Sequence, residues 1–287
     1  MAGKLIALFF FFVFKHNNRG ITMSNVPESF LRLASYNIRN PCDKPPNDWV
    51  SRLPRLLALL NRHEVAIAGL QEAMKMQIDG IMAEGSWAYT GVGREDGVEK
   101  GEYSCIIYRK DRFICHGSKT FWLSETPDVA GSRSWDTACT RICTWATFTD
   151  KKTGLDFTHF NTHLDHRSKL AQINGVKLIF QKMKEIAPKG PIVLTGDFNV
   201  LPEDEVIAHA EQFMRNSTKV TETPLVGPTY TFTGYRVMKD GVEPPHKGPI
   251  DYIFVNDNFT VRRLYVFDDS ENDLYPSDHF PLVADLC

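Results

Sequence analysis

The chain has 287 residues, of which 43% are hydrophobic, 11% aromatic and 24% charged. That is ordinary globular composition, and it excludes a chain that is mainly disordered, collagen-like or coiled coil. With 33 basic and 35 acidic residues the formal net charge is -2, so no polybasic shell is available to clamp a nucleic-acid duplex, and an anionic substrate must be held by a local site.

Residues 1–22 stand apart from the rest. Lys4 precedes an apolar run, 5–14, that is too short to span a bilayer and has the length of a signal-peptide core. No small-x-small cleavage pattern follows it, and Met23 offers a second start. Three readings stand: a signal or anchor, a translated extension outside the mature protein, and a buried N-terminal element. The segment carries Lys4, Lys15 and Arg19 and no acid, so the chain counted from Met23 has a net charge of -5 rather than -2. A start at Met23 implies a cytoplasmic protein, a working signal implies the secretory pathway, and membrane contact is expected only through this run.

From residue 30 to 287 strands and helices interleave without a linker, as one domain. Residues 31–38 alternate and read as a strand. Asn47-Asp48 can cap a helix whose apolar stripe is Trp49, Leu53, Leu56, Leu57 and Leu60, with Pro54 in its first two turns. Residues 65–70 read as a buried strand and 71–84 as a helix. Three more strands are expected at 87–93, 104–109 and 113–122. Strands 142–149 and 155–163 flank the turn Asp150-Lys151-Lys152-Thr153-Gly154. A long helix is expected over 168–186, a buried strand over 192–195 and a further helix over 201–213. Strands at 230–233, 250–255, 261–267 and 281–286 close the chain. The pattern predicts packed sheets covered by helices. The six cysteines are too few for a disulfide scaffold and give no zinc-knuckle spacing. Cys139 and Cys143 read as core thiols of a strand.

Informative polar residues cluster where predicted strands begin or end: Asn37, Glu72, His163, Asp197 with Asn199, Asp251, and Asp278 with His279. Sites of α/β sheets form at strand ends, so these positions can converge. Singly, each has an ordinary use as a turn former, a cap or a core histidine. Together they suit phosphoester hydrolysis. A hard divalent cation binds one or two carboxylates, keeps several waters and takes substrate phosphate directly. Glu72 is the best ligand, with Asp278 and Asn37 beside it. Asn199, His163 and Asn37 can stabilise charge on phosphoryl oxygens. Asp197 is the candidate base for water, with His279 near it and Asp251 to fix the histidine tautomer. A zinc hydrolase built on His159, His163 and His166 is a weaker reading, since His166 leaves the strand face shared by the other two.

The blocks Ser35-Tyr36-Asn37-Ile38, Gln71-Glu72, Asn161-Thr162-His163-Leu164, Gly196-Asp197-Phe198-Asn199, Asp251-Tyr252-Ile253 and Ser277-Asp278-His279 resemble, in order, the endonuclease/exonuclease/phosphatase superfamily. The resemblance spans residues 31–286, and the block Tyr275 to Ala284 is closest in style to the nocturnin and carbon catabolite repressor deadenylase branch. It implies a DNase I-like four-layer α/β sandwich of two mixed sheets flanked by helices, and Mg²⁺ or Mn²⁺ dependence. It also implies the roles above: Glu72, Asn37 and Asp278 for the metal, and Asp197, Asn199, Asp251, His279 and His163 for catalysis. Arg141 resembles a phosphate-contacting arginine of the DNase I group, with a simple salt bridge as its ordinary reading. The substrate expected is a phosphate ester, foremost single-stranded nucleic acid or a nucleotide attacked by a monomeric 3′-to-5′ RNA exonuclease. The alternatives are a phosphoesterase for a small phosphorylated metabolite or a phospholipid head group, and a non-catalytic binding module on the same fold. Residues 122–140 and 234–247 would form substrate rims, with Trp135 and Tyr235 placed to stack bases.

Overall fold

A computed structural model describes residues 29–239 and 241–287. The readings of residues 1–22 fall outside the described residues. Six strands form a first mixed sheet in the order β11-β12-β1-β2-β4-β3. These are β1 (Leu31–Asn37), β2 (Ile67–Gln71), β3 (Trp87–Thr90), β4 (Ile106–Arg109), β11 (Val261–Val266) and β12 (Leu282–Leu286). The second sheet runs β5-β6-β7-β8-β10-β9. Its strands are β5 (Phe113–Trp122), β6 (Ile142–Asp150), β7 (Leu155–His163), β8 (Ile192–Asp197), β9 (Arg215–Asn216) and β10 (Asp251–Val255). β1 runs parallel to β2, and β7 parallel to β8, while the other ladders are antiparallel.

Alternation along each strand builds the layers. In β1, Leu31 and Leu33 enter the core between the sheets, with Phe148, Val193 and Ile253 opposite. Ala34 and Tyr36 point the other way, under Leu56, Leu59 and Leu60 of helix α1 (Trp49–Arg62) and Ile78 and Ile81 of α2 (Lys75–Met82). Helices α3 (Lys169–Ile186) and α4 (Glu205–Ala210) cover the second sheet's outer face through Val176, Ile179, Val206 and Ile207. The short α5 (Ser217–Val220) leads out of β9. The result is the expected four-layer sandwich of two mixed sheets flanked by helices. Among the described residues no helix is long and apolar enough to cross a membrane.

Where the sequence and structure part, local backbone demands explain it. The helix expected over 71–84 begins only at Lys75. Gln71 still belongs to β2, Glu72 takes a left-handed φ of 60° and Ala73 bridges Tyr103, so the stretch turns towards the site before helix can start. The helix expected over 201–213 shortens to α4, capped by the Asp204 side chain on Val206 N. Residues 230–233 form no strand, only a bridge from Phe232 to His279. Cys143 is buried in β6, but Cys139 is half-buried in the preceding loop rather than a core strand thiol.

The two sheets pack without room for a side chain at Gly69. A Cβ there would lie 2.1 Å from Thr195 Oγ1 and 2.4 Å from Asn161 Oδ1. Asn161 ties the sheets together, accepting from Gln71 Nε2 at 2.7 Å and donating to the Leu70 and Cys105 carbonyls at 2.8 and 2.9 Å. Beside it His159 is fully buried, with Nε2 2.8 Å from Thr195 Oγ1. Burial lowers the imidazole pKa from 6.5 to about 3. The unfolded chain therefore binds this proton first as pH falls, and folded stability drops. His159 thus costs nothing above about pH 6.5 and up to a few kcal/mol as pH approaches 3. Denaturant melts at pH 7.5 and pH 5 are expected to show a smaller pH dependence for His159→Gln than for the wild type.

Candidate active site

The site lies where β1, β2, β7, β8 and β10 end or begin, on one rim of both sheets. The β1 terminus sets its centre. Asn37, fully buried, donates through Nδ2 to Glu72 Oε1 at 3.1 Å and to Asp197 Oδ2 at 2.9 Å. One amide thus joins the two halves of the sandwich. Glu72 Oε2 accepts from the Asn40 backbone N at 3.1 Å and from Asn40 Nδ2 at 3.2 Å. Asp278 arrives on the loop before β12. Ser277 Oγ docks that loop by donating to the Asn37 carbonyl at 2.7 Å.

On the second sheet, β8 and β10 pair Asp197 with Asp251 in register. His279 Nδ1 lies 2.8 Å from Asp251 Oδ2, and its Nε2 lies 3.8 Å from Asp197 Oδ2. Burial disfavours charge on this imidazole, but Asp251 and then Asp197 outweigh it and raise its pKa to about 10. His279 is therefore an imidazolium at neutral pH, with a proton on Nε2 directed at Asp197. Burial, followed by the Asp251 charge, raises the Asp197 pKa, which makes its carboxylate a stronger base. Asp197 Oδ1 accepts from Asn199 N at 2.9 Å. Asn199 Nδ2 reaches His163 Nε2 at 3.0 Å and the Leu164 carbonyl at 3.1 Å. Burial first, and Arg141 and Arg94 next, hold His163 neutral by lowering its pKa far below 6.5.

Asn37, Glu72, His163, Asp197, Asn199, Asp251, Asp278 and His279 thus form one connected group. Arg141 stands at its edge and shares a recess with His163, Arg94, Glu102, Tyr103, Ser104 and Thr140. Its guanidinium is almost wholly buried. Nη2 meets His166 Nδ1 at 3.2 Å, while Nε and Nη1 have no partner. No salt bridge of Arg141 is found among the described residues, and its free donors are of the kind that can take an anion.

Glu72 and Asp278 offer carboxylate oxygens, which fit a hard divalent cation, while the Asn37 amide orients Glu72 through Nδ2, its Oδ1 accepting from Arg39 N. The Glu72 and Asp278 carboxylates flank one guanidinium, Glu72 Oε2 lying 3.8 Å from Arg39 Nη1 and Asp278 Oδ2 3.8 Å from Arg39 Nε. A cation bound there would polarise a phosphoryl oxygen as a Lewis acid. Among the described residues Asp197, Asp251 and His279 also bring possible ligand atoms within 4.8 Å of one another. The Asp251 and Asp197 charges that raise the His279 pKa also make this trio suited to moving a proton. His159, His163 and His166 do not assemble: His159 bonds Thr195 and His166 is exposed beside Arg141.

Several residues that shape the site escaped the sequence reading. Asp165, buried in the turn after β7, accepts from Thr137 Oγ1 at 2.8 Å and from the backbone N of Ala138, Arg167 and Ser168 at 2.7–2.9 Å. These bonds overcome its burial and lower its pKa to about 2. They also tie the 122–140 rim to the start of α3. Arg52, fully buried, donates to the carbonyls of Ile38, Arg39, Asn40, Asn47 and Pro276. Its signal was visible as an arginine three residues after Trp49, within the apolar stripe of α1.

A family model described as Endonuclease/Exonuclease/phosphatase family matches residues 34–279. A Bacteroides vulgatus endonuclease/exonuclease/phosphatase is 36% identical, with 90% of this chain and 98% of that one covered and a TM-score of 0.83. A mannosyl-6-phosphatase of Bacteroides thetaiotaomicron is 34% identical over 90% of this chain and 99% of its own, also with a TM-score of 0.83. The human nocturnin catalytic domain shares the fold at 19% identity and a TM-score of 0.68, over 91% of this chain and 94% of that one. No curated protein sequence matches the chain. The family model spans most of the chain and the whole gathered group from Asn37 to His279, so the chain belongs to the endonuclease/exonuclease/phosphatase family and is a phosphate-ester hydrolase.

Proposed function

We propose that the protein is a Mg²⁺- or Mn²⁺-dependent phosphomonoesterase acting on a small phosphorylated metabolite, foremost a sugar phosphate. The likeness to the mannosyl-6-phosphatase, 34% identical over 99% of that chain, carries this reading. The form of the recess supports it. Loop residues close over the catalytic group: Trp122 Nε1 donates to the Arg94 carbonyl at 2.6 Å, Arg94 pairs with Glu102, and Asn40 Nδ2 meets Glu102 Oε1 at 3.3 Å. The narrow recess lined by Arg141 and His163 brings two donor side chains to one place beside the catalytic group. A net charge of -2 supplies no basic track for a polynucleotide.

In this reading Glu72 and Asp278, with Asn37, hold the cation. Asp197 takes the proton of the attacking water. Asn199, the neutral His163, Arg141 and the His279 imidazolium stabilise charge on the phosphoryl oxygens. A second reading, 3′-to-5′ RNA exonuclease, rests on the half-buried Trp135 and Tyr235 at the rim, placed where bases could stack.

The test is a panel of mannose 6-phosphate, glucose 6-phosphate, NADP, inositol phosphates, sphingomyelin, single- and double-stranded DNA and poly(A) RNA, each with Mg²⁺, Mn²⁺ or EDTA. Phosphate release from a sugar phosphate is expected to exceed RNA shortening by at least about 100-fold in kcat/KM. The reverse ranking would establish the exonuclease, and activity surviving EDTA would remove the cation from the reaction. Glu72→Gln is expected to weaken Mg²⁺ binding and to lower kcat together.

A further inference from the structure

Arg39 is held as no ordinary surface arginine needs to be. Its backbone lies in the left-handed region, φ 55°, a conformation that costs energy for a residue with a side chain. The surroundings enforce it. The Arg39 N–H donates to Asn37 Oδ1 at 3.0 Å, and its carbonyl accepts from Arg52 Nη2 and from Gln77 Nε2, each at 2.9 Å. The side chain, 30% exposed, is thereby sent into the gap between the two metal-binding carboxylates. Nη1 lies 3.8 Å from Glu72 Oε2, and Nε lies 3.8 Å from Asp278 Oδ2. Neither contact is a closed hydrogen bond. The close partners are Asp43, whose Oδ2 is 3.0 Å from Nε and whose Oδ1 is 3.4 Å from Nη2, and Cys42 Sγ, 3.3 Å from Nη2.

One guanidinium therefore serves three carboxylates but is tethered only to the outermost. It can give up Glu72 and Asp278 without leaving the site. The hydroxyl of Tyr235, itself at φ 62°, is buried in this charged neighbourhood with no hydrogen-bond partner.

We propose that Arg39 selects phosphate monoesters. It competes with a divalent cation for Glu72 and Asp278. With those oxygens given over to the cation, the tethered guanidinium turns to the non-esterified oxygens of the substrate. This rests on the phosphomonoesterase reading. At neutral pH a phosphate monoester carries close to two negative charges, its second pKa being about 6, whereas a diester carries one. The extra charge sits on an oxygen that a diester uses for its second ester bond. A planar guanidinium can take two such oxygens at once, and a lysine ammonium cannot match that fork.

Purified wild type, Arg39→Met and Arg39→Lys decide it by two readouts. The first is calorimetric titration with Mg²⁺ alone. Arg39→Met is expected to bind Mg²⁺ at least about threefold more tightly, because the competing charge is gone, while Arg39→Lys stays near the wild type. An unchanged or weaker affinity in Arg39→Met overturns the competition. The second is the ratio of kcat/KM for mannose 6-phosphate to that for bis(p-nitrophenyl) phosphate. Arg39→Met is expected to lower this ratio about 30-fold, and Arg39→Lys to restore only part of it. An equal loss on both substrates overturns the selection. A wild-type preference for the diester overturns the phosphomonoesterase reading and the selection with it. The Mg²⁺ titration, which needs no substrate, still decides the competition in that case.

Discussion

Asp251→Asn is expected to lower kcat/KM by about 10³-fold while the protein stays folded. The carboxylate is fully buried, and its Oδ2, 2.8 Å from His279 Nδ1, is the main source of the histidine's positive charge. Without it burial decides, and the imidazole becomes neutral at pH 7. The asparagine carbonyl then accepts from Nδ1–H, which keeps the neutral ring's one proton on Nδ1 and leaves Nε2 unprotonated. The proton facing Asp197 is thereby lost, and positioned proton donors are worth about 10²–10⁴ in rate. The pH profile is the second check. In the wild type the His279 pKa of about 10 lies above the ordinary 6.5, so its contribution to stability is complete below about pH 6.5 and is lost as pH rises through about 10. In Asp251→Asn that alkaline loss is expected to vanish, with residual activity confined to acid pH. Full activity with an unaltered profile would show that the pair has no catalytic part.

Arg52→Met is expected to cost at least about 3 kcal/mol of stability, because buried carbonyls lose their donors at once. Those carbonyls belong to Ile38, Arg39 and Asn40 after β1, to Asn47 before α1 and to Pro276 before the Asp278 loop. The arginine is thus the tie that brings the Asn37 and Asp278 loops together around the proposed cation site. Protein that remains folded at low temperature is expected to bind Mg²⁺ poorly, although Arg52 touches none of the candidate ligands' side chains. Arg52→Lys rescues little, since one compact ammonium cannot span the same set of acceptors. A urea midpoint and a Mg²⁺ titration on the same samples separate the two effects. Wild-type values in both would show that the carbonyl cluster holds itself.

The elements that pack by simple periodicity were legible in the sequence. β1, β5 and β7, α1 and α3 lie within a residue or so of where alternation, capping and the Pro188 to Pro191 stop place them. Their positions depend on neighbours along the chain, which a sequence displays. The chemistry-bearing residues were legible for a related reason: Asn, Asp, Glu and His at one strand end after another suit no structural purpose as a set. Departures came where backbone was bent to serve the site. Glu72 and Asn199 at φ 60° and 54° break regular structure to aim side chains inward, and propensity alone does not foresee that strain.

Sequence alone thus indicated packed sheets covered by helices, the eight residues that gather and an affinity for a hard divalent cation, because residue type dictates what chemistry is possible. Tertiary structure decided the division of labour among them. The imidazolium of His279, the basic carboxylate of Asp197 and the neutral His163 arise from burial and from partners up to 160 positions away, as Asn37 is from Asp197. The roles of Arg39, Arg52 and Asp165 were decided there too. A side chain's charge state and the acceptors it serves are properties of its surroundings, and those surroundings exist only once the two sheets have closed on each other.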